Sequence, residues 1–183
     1  MRVPSRQMPK FVHRKTGPWA WLALAVLATG MVFAAWSEPK AALVVLTALS
    51  CALLLAAAST KREEDQLRRL AETREGQSIC EFARDFDARS IDTWIIRAVY
   101  EQLQSHLRCA HPAFPVRASD RLKQDLHLDD DDLDMDIASE IEQRSGRSLG
   151  RTGENPYFGK VETVRDLVLF FQSQPRRNQS THI

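Results

Sequence analysis

Two long uncharged stretches near the start of the chain limit what it can fold into. Residues 19–36, WAWLALAVLATGMVFAAW, and residues 41–60, AALVVLTALSCALLLAAAST, contain no charged side chain. As helices they would be about 27 Å and about 30 Å long, close to the hydrocarbon thickness of a bilayer. Core helices of soluble proteins rarely run this long without a polar face. The pattern predicts two transmembrane helices.

Flanking charges predict the orientation of this pair. Only the four residues 37–40, SEPK, separate the two runs, so we expect a tight antiparallel hairpin. The first 18 residues contain five bases and no acid, and four more bases lie between residues 61 and 69. We therefore expect a multi-pass protein of the inner (cell) membrane. By the positive-inside rule both of its ends face the cytoplasm. A cleaved signal peptide is the alternative, but the first run exceeds a usual signal core and no clean A-x-A site follows it.

From Lys61 onward the chain is rich in charge, and its apolar residues are spaced as in helices. Ser90 predicts the N-cap of the longest helix, which runs to about Leu107. Thr163 and Asp166 form a T-x-x-D cap before the last helix. No segment alternates with the period of a strand, so we expect an all-α protein. The predicted segments are a basic cytoplasmic tail (1–18), the hairpin (19–60), a juxtamembrane helical linker (61–89), a helical domain (90–173) and a polar tail (174–183).

Charge and cysteine content narrow the range of functions. The chain has a net charge of +1; subtracting the five bases of the first 18 residues leaves −4 for residues 61–183, because the connector is neutral. A net negative charge on the domain argues against nucleic acid as a partner. We expect the basic tail to contact anionic lipid headgroups of the membrane. Cys51, Cys80 and Cys109 lack C-x-x-C spacing, so we expect neither a disulfide nor a zinc site.

An acidic run in the helical domain is the main functional candidate. Between Asp129 and Glu142 the chain carries eight carboxylates. Within this acidic run Leu133, Ile137 and Ile141 recur every four residues, which predicts a narrow buried stripe with the acids facing water.

Two chemical interpretations of the acidic run do not fit. In a calcium-binding EF-hand loop that starts at Asp130, Met135 takes the place of the required glycine and Ile141 that of the final glutamate. Acid–base catalysis needs carboxylates in distinct environments, which water-facing side chains lack. No hydrolase or nucleotide-binding motif supplies other machinery. We therefore expect no enzyme activity, no catalytic residue and no metal site, which leaves a solvated face or a surface for a partner.

From Ile91 to Phe171 the order of features resembles the acyl carrier protein family. A long first helix and a proline-containing loop precede DLHLDDDDLDMDIASEIEQRSGRSL, and ETVRDLV is similar to the closing helix of that family. The resemblance implies a small four-helix bundle whose acidic second helix is recognised by the basic patch of a partner protein. Carried over residue by residue, it implies partner-binding roles for Asp129, Asp130, Asp131, Asp132, Asp134, Asp136 and Glu140.

The chain departs from that family at the cofactor position. Carriers attach phosphopantetheine to the serine of Asp-Ser-Leu, but here Asp132 precedes Leu133 and residues 125–136 contain no serine. A serine-less acidic second helix is similar to a bacterial group of acyl-carrier-like proteins. We therefore expect no cofactor and a membrane-anchored module that docks a basic cytoplasmic protein. Two alternatives stay open: a thioester carrier that uses a non-standard serine, and an assembly subunit whose hairpin is the active part. The serines nearest the motif are Ser119, which precedes it, and Ser139, about two helical turns further on, and neither matches the carrier position.

Overall fold

A computed structural model of the chain describes residues 4, 5, 8, 39–87, 89–129, 133 and 137–177. These residues form five α-helices and two isolated β-bridges, which confirms the all-α fold class. The chain divides into two compact units, residues 12–63, and residues 1–11 together with 64–183. The helices are α1 (Pro39–Thr73), α2 (Ile79–Arg84), α3 (Thr93–His106), α4 (Ala138–Ser145) and α5 (Val164–Ser173).

The first part of α1 has the length and composition of a membrane span. The stretch from Leu43 to Thr73 is a candidate span by length and composition, and its most apolar 18 residues have a mean hydropathy of 2.2 and are not buried in the protein. Two hydroxyls in this stretch donate to carbonyls one turn earlier, from Thr47 to Val44 (2.9 Å) and from Ser50 to Leu46 (2.7 Å). Both hydroxyls therefore have a hydrogen-bond acceptor within the helix itself. The other predicted span, residues 19–36, lies outside the described residues.

The second unit is built around α3. Ile95, Val99 and Leu103 on this helix are fully buried, and α2, α4 and α5 all pack against it. The helix begins later than predicted, because Asp92 and not Ser90 is its N-cap: the Asp92 carboxylate accepts the Trp94 N–H at 3.0 Å. The Ser90 hydroxyl instead donates to the Asp87 carbonyl.

The end of α1 belongs to the same core. Leu67 and Ala71, one turn apart on α1, are buried together with Phe82 and Phe86 around α2. The two phenylalanine rings meet edge to face with their centroids 5.1 Å apart. As predicted, the helix of the second apolar run continues into the charged residues that follow Lys61. The last helical turns of α1 therefore pack with the unit that contains residues 64–183.

The cap of α5 was predicted correctly. The Asp166 N–H donates to the Thr163 hydroxyl at 3.2 Å, and the Thr163 N–H donates to the Asp166 carboxylate at 2.9 Å. This reciprocal pair satisfies two of the free N–H groups at the helix start. The inward face that follows is buried at Val164, Leu167, Val168 and Phe171.

Candidate functional site

The loop that leads from α3 to the acidic run is fixed by a buried aspartate. Asp120 is 2% exposed, and its carboxylate accepts hydrogen bonds from the Arg74 guanidinium and from the Arg117 N–H, both at 2.8 Å. The Asp120 carbonyl accepts the Val164 N–H at 3.0 Å. Asp120 therefore holds three parts of the chain together: its carboxylate joins the residue after α1 to the loop, and its backbone carbonyl joins the loop to the start of α5.

The chain turns tightly just before the acidic run. Leu122, Leu126 and Leu128 are each about 1% exposed, and the Leu128 N–H donates to the Leu122 carbonyl at 2.9 Å. His127 within this turn has a φ of 53°, a left-handed conformation that only a few per cent of non-glycine residues adopt. The three buried leucines fix where the acidic run starts.

The buried stripe of the acidic run is confirmed. Ile137 and Ile141 are fully buried, and the half-buried Leu133 packs against the same core. The Leu133 N–H donates to the Asp129 carbonyl at 3.2 Å, the spacing of a helical turn. Three apolar side chains therefore hold this segment on the domain.

The predicted partner-binding acids differ in their surroundings. Asp129 is exposed, at the start of the run. Glu140 is 5% exposed, so the prediction that the acids of this run face water is wrong there. The physical reason is that α4 packs on α3 over a broad face, which also buries Arg144 and Ser145. The remaining five acids lie outside the described residues: Asp130, Asp131, Asp132, Asp134 and Asp136.

A charge network joins α4 to α3 behind the acidic run. The Arg144 guanidinium, 8% exposed, pairs with the Glu101 carboxylate, and Arg97 binds the same carboxylate at 2.8 Å. Partial burial favours a higher pKa for Glu101, but hydrogen bonds and charge from Arg144 and Arg97 outweigh it and lower that pKa. The spacing of four residues between Arg97 and Glu101 indicates an ion pair on one helix from the sequence alone. Nothing in the sequence indicates that Arg144 on α4 binds the same carboxylate.

The C-terminal end of α4 is held by the end of the chain. Gly146 ends the helix with a φ of 68°, a conformation that glycine adopts without steric cost. Arg147, largely buried, donates to the carbonyls of Gln172 (3.2 Å) and Gln174 (2.8 Å). The Arg177 N–H donates to the Gly146 carbonyl at 2.9 Å. The C-terminal end of α4 is thus fixed to the segment that ends and follows α5.

The two serines considered as carrier positions lie in different settings. Ser139 is half-buried on α4, whereas Ser119 is exposed on the loop before the acidic run. Ser119 lines a cleft of about 420 Å³ that lies between this loop and α2. Phe82 and Val116 form its apolar part, and Arg117, Glu81 and Asp85 are among its polar groups.

Within the described part of the chain, no three His, Cys, Asp or Glu side chains are grouped to hold a metal ion. Within the acidic run, this statement covers residues 129, 133 and 137–142. Comparisons with models of known protein families, with curated proteins and with solved structures find no match to this chain.

Proposed function

We propose that this chain is a two-span protein of a bacterial inner membrane that presents an acyl-carrier-like helical domain to the cytoplasm. The domain acts as a binding module without enzyme activity and without phosphopantetheine. Its acidic run docks a protein with a basic surface. The observation that carries the proposal is the exposed Asp129 at the start of a segment held on the core by Leu133, Ile137 and Ile141.

The order of elements supports the acyl-carrier-like architecture. A long α3 is followed by a loop with Pro112 and Pro115, then by the acidic run and α4, and a short 3₁₀ turn precedes the capped α5. In acyl carrier proteins the second helix is the element that partner proteins recognise. A segment rich in carboxylates at that position would attract a basic surface and speed the encounter.

A contact of the N-terminal segment supports the two-span topology. Met8 is buried in the same core as Leu67 and Ala71, so Met8 lies on the domain. If α1 crosses the membrane once, a second crossing must occur between Met8 and Pro39. Residues 19–36 are the uncharged stretch in that interval. This argument is independent of the count of flanking bases.

Affinity capture with charge-matched variants tests the docking function. One variant changes Asp130, Asp131 and Asp132 to Asn, and its control changes Glu75, Glu154 and Glu162, three exposed acids outside the run, to Gln. Both lose three carboxylates, so a general charge effect acts on both equally. We expect capture of a basic protein by the full-length chain in detergent to be lost in the first variant and kept in the control. Capture should also weaken with salt, since salt screens exposed charges.

A thioester carrier is the second candidate, because Ser119 is exposed beside a cleft. Incubation with coenzyme A and a phosphopantetheinyl transferase, followed by intact-mass measurement, separates the two functions. The proposed binding module keeps its mass. A gain of one phosphopantetheine that disappears in Ser119→Ala would favour the carrier.

A further inference from the structure

The connection between α4 and α5, residues 149–162, carries one large apolar side chain in water. Phe158 is 57% exposed. Among the described residues, every other exposed large hydrophobic side chain lies on α1, between Leu43 and Leu55. Aromatic side chains are enriched where proteins contact one another, because each of them buries a large apolar area. Phe158 is therefore a candidate contact residue of the helical domain.

A buried asparagine builds the turn that presents this side chain. Asn155 is 8% exposed, and its side-chain amide donates to the Phe170 carbonyl on α5 and accepts the Tyr157 N–H, both at 2.9 Å. The Phe158 N–H donates to the Asn155 carbonyl at 3.0 Å, and Gly159 follows with a φ of 68°. The backbone of this segment, the Phe158 turn (residues 155–160), is thus set by the fold before any partner binds. Such preorganisation lowers the entropy cost of binding.

Hydrogen bonds join both flanks of the Phe158 turn to the segment that contains the acidic run. Before the turn, the Leu149 N–H donates at 3.1 Å to the carboxylate of Glu142, the last acid of the run. After the turn, the Glu162 carbonyl accepts at 2.9 Å the N–H of Leu122, which precedes the run. The Phe158 turn and the acidic run are therefore connected directly within the helical domain.

The charges around the Phe158 turn favour a protein over a membrane as its binding partner. The exposed bases Arg151 and Lys160 are balanced by the exposed acids Glu154 and Glu162, so residues 149–162 have no net charge. Anionic lipid headgroups therefore offer this connection no net electrostatic attraction. An apolar pocket on a protein needs none, because burial of the ring itself supplies the binding energy.

One phenylalanine buries too little area to hold a protein by itself, so its contact needs a second one on the same partner. We propose that Phe158 inserts into an apolar pocket of the same protein that the acidic run docks. The inference rests on the proposed function, and it narrows the partner to proteins that carry an apolar pocket as well as a basic surface. The acidic run speeds the encounter, and the inserted ring slows dissociation.

Photo-crosslinking of the full-length chain in living cells tests the inference. In one strain p-benzoylphenylalanine replaces Phe158, and in a second strain it replaces the exposed Asp129. We expect both probes to crosslink the same protein, identified by mass spectrometry. With the probe at Asp129, Phe158→Ser should lower the yield roughly tenfold or more, whereas Phe158→Leu, which keeps an apolar side chain, should keep most of it.

Two controls separate the contact from other effects. Because the Phe158 ring is largely in water, Phe158→Ser should unfold at the denaturant midpoint of the wild type. A clearly lower midpoint would make the ring a structural element and overturn the inference. The change of Glu154 and Glu162 to Gln should leave the Phe158 product intact, since the contact is apolar.

The outcomes distinguish the inference from the proposed function. If the Asp129 probe gives its product but the Phe158 probe gives none, or crosslinks only lipid or a second copy of this chain, the inference is wrong and the proposed function stands. The same holds if Phe158→Ser leaves the yield at Asp129 unchanged. Absence of any product at Asp129 would contradict both.

Discussion

The Arg74 guanidinium lies 2.8 Å from the carboxylate of Asp120, and both side chains are almost completely buried. Arg74 follows the last residue of α1, whereas Asp120 lies in the loop that leads to the acidic run. The pair therefore joins the residue after a membrane-length helix to the loop that precedes the segment proposed to bind a partner. It also explains why the residues just after the apolar stretch fold as part of the domain.

Asp120→Asn should destabilise the domain by about 3–5 kcal/mol, because it leaves the Arg74 charge buried without its partner. The Arg117 N–H would also lose its strong acceptor. Denaturant unfolding of the full chain in detergent, followed by circular dichroism, measures the loss. Glu75→Gln, an exposed change one residue from Arg74, is the control and should have little effect. A variant at Asp120 as stable as the wild type would show that the pair is dispensable.

The lowered pKa of Glu101 predicts an acid-sensitive contact between α3 and α4. Because its pKa in the folded state lies below the unfolded value of about 4.3, the network stabilises the fold above that pH. The stabilisation is lost as the pH falls through the folded pKa. Unfolding free energies of the wild type and Glu101→Gln, measured from neutral to acid pH, should therefore converge at low pH. A difference that does not change with pH would contradict the linkage.

The buried stripe of the acidic run predicts graded effects of truncation. Ile137→Ala removes a fully buried side chain and should cost about 2–5 kcal/mol of stability. Leu133→Ala, at a half-buried position, should cost clearly less because its side chain is already partly in water. Denaturant midpoints of the two variants make the comparison. Equal losses would place Leu133 as deep in the core as Ile137.

Local patterns in the sequence were enough to predict several elements. The Thr163–Asp166 cap spans four residues, and the Leu133, Ile137 and Ile141 stripe follows from helical spacing alone. Both depend on interactions within one helix or one face, which a single sequence displays directly.

Contacts between distant parts of the chain could not be predicted in this way. Arg74 and Asp120 are 46 residues apart, and the partner of Glu101 on α4 is 43 residues away. Glu140 is buried because α4 packs broadly on α3, which helical spacing does not reveal. The N-cap prediction at Ser90 was wrong for a related reason, since the Ser90 carbonyl accepts a hydrogen bond from Gln172 near the end of α5.

The central claim, that the acidic run docks a basic protein, is tested most directly by photo-crosslinking in living cells. A p-benzoylphenylalanine at Asp129 places the probe at the exposed start of the run. We predict a crosslinked protein with a basic surface that disappears when Asp130, Asp131 and Asp132 are changed to Asn. The same product should persist in the charge-matched control at Glu75, Glu154 and Glu162. A crosslinking pattern unaffected by loss of the three aspartates would contradict the claim.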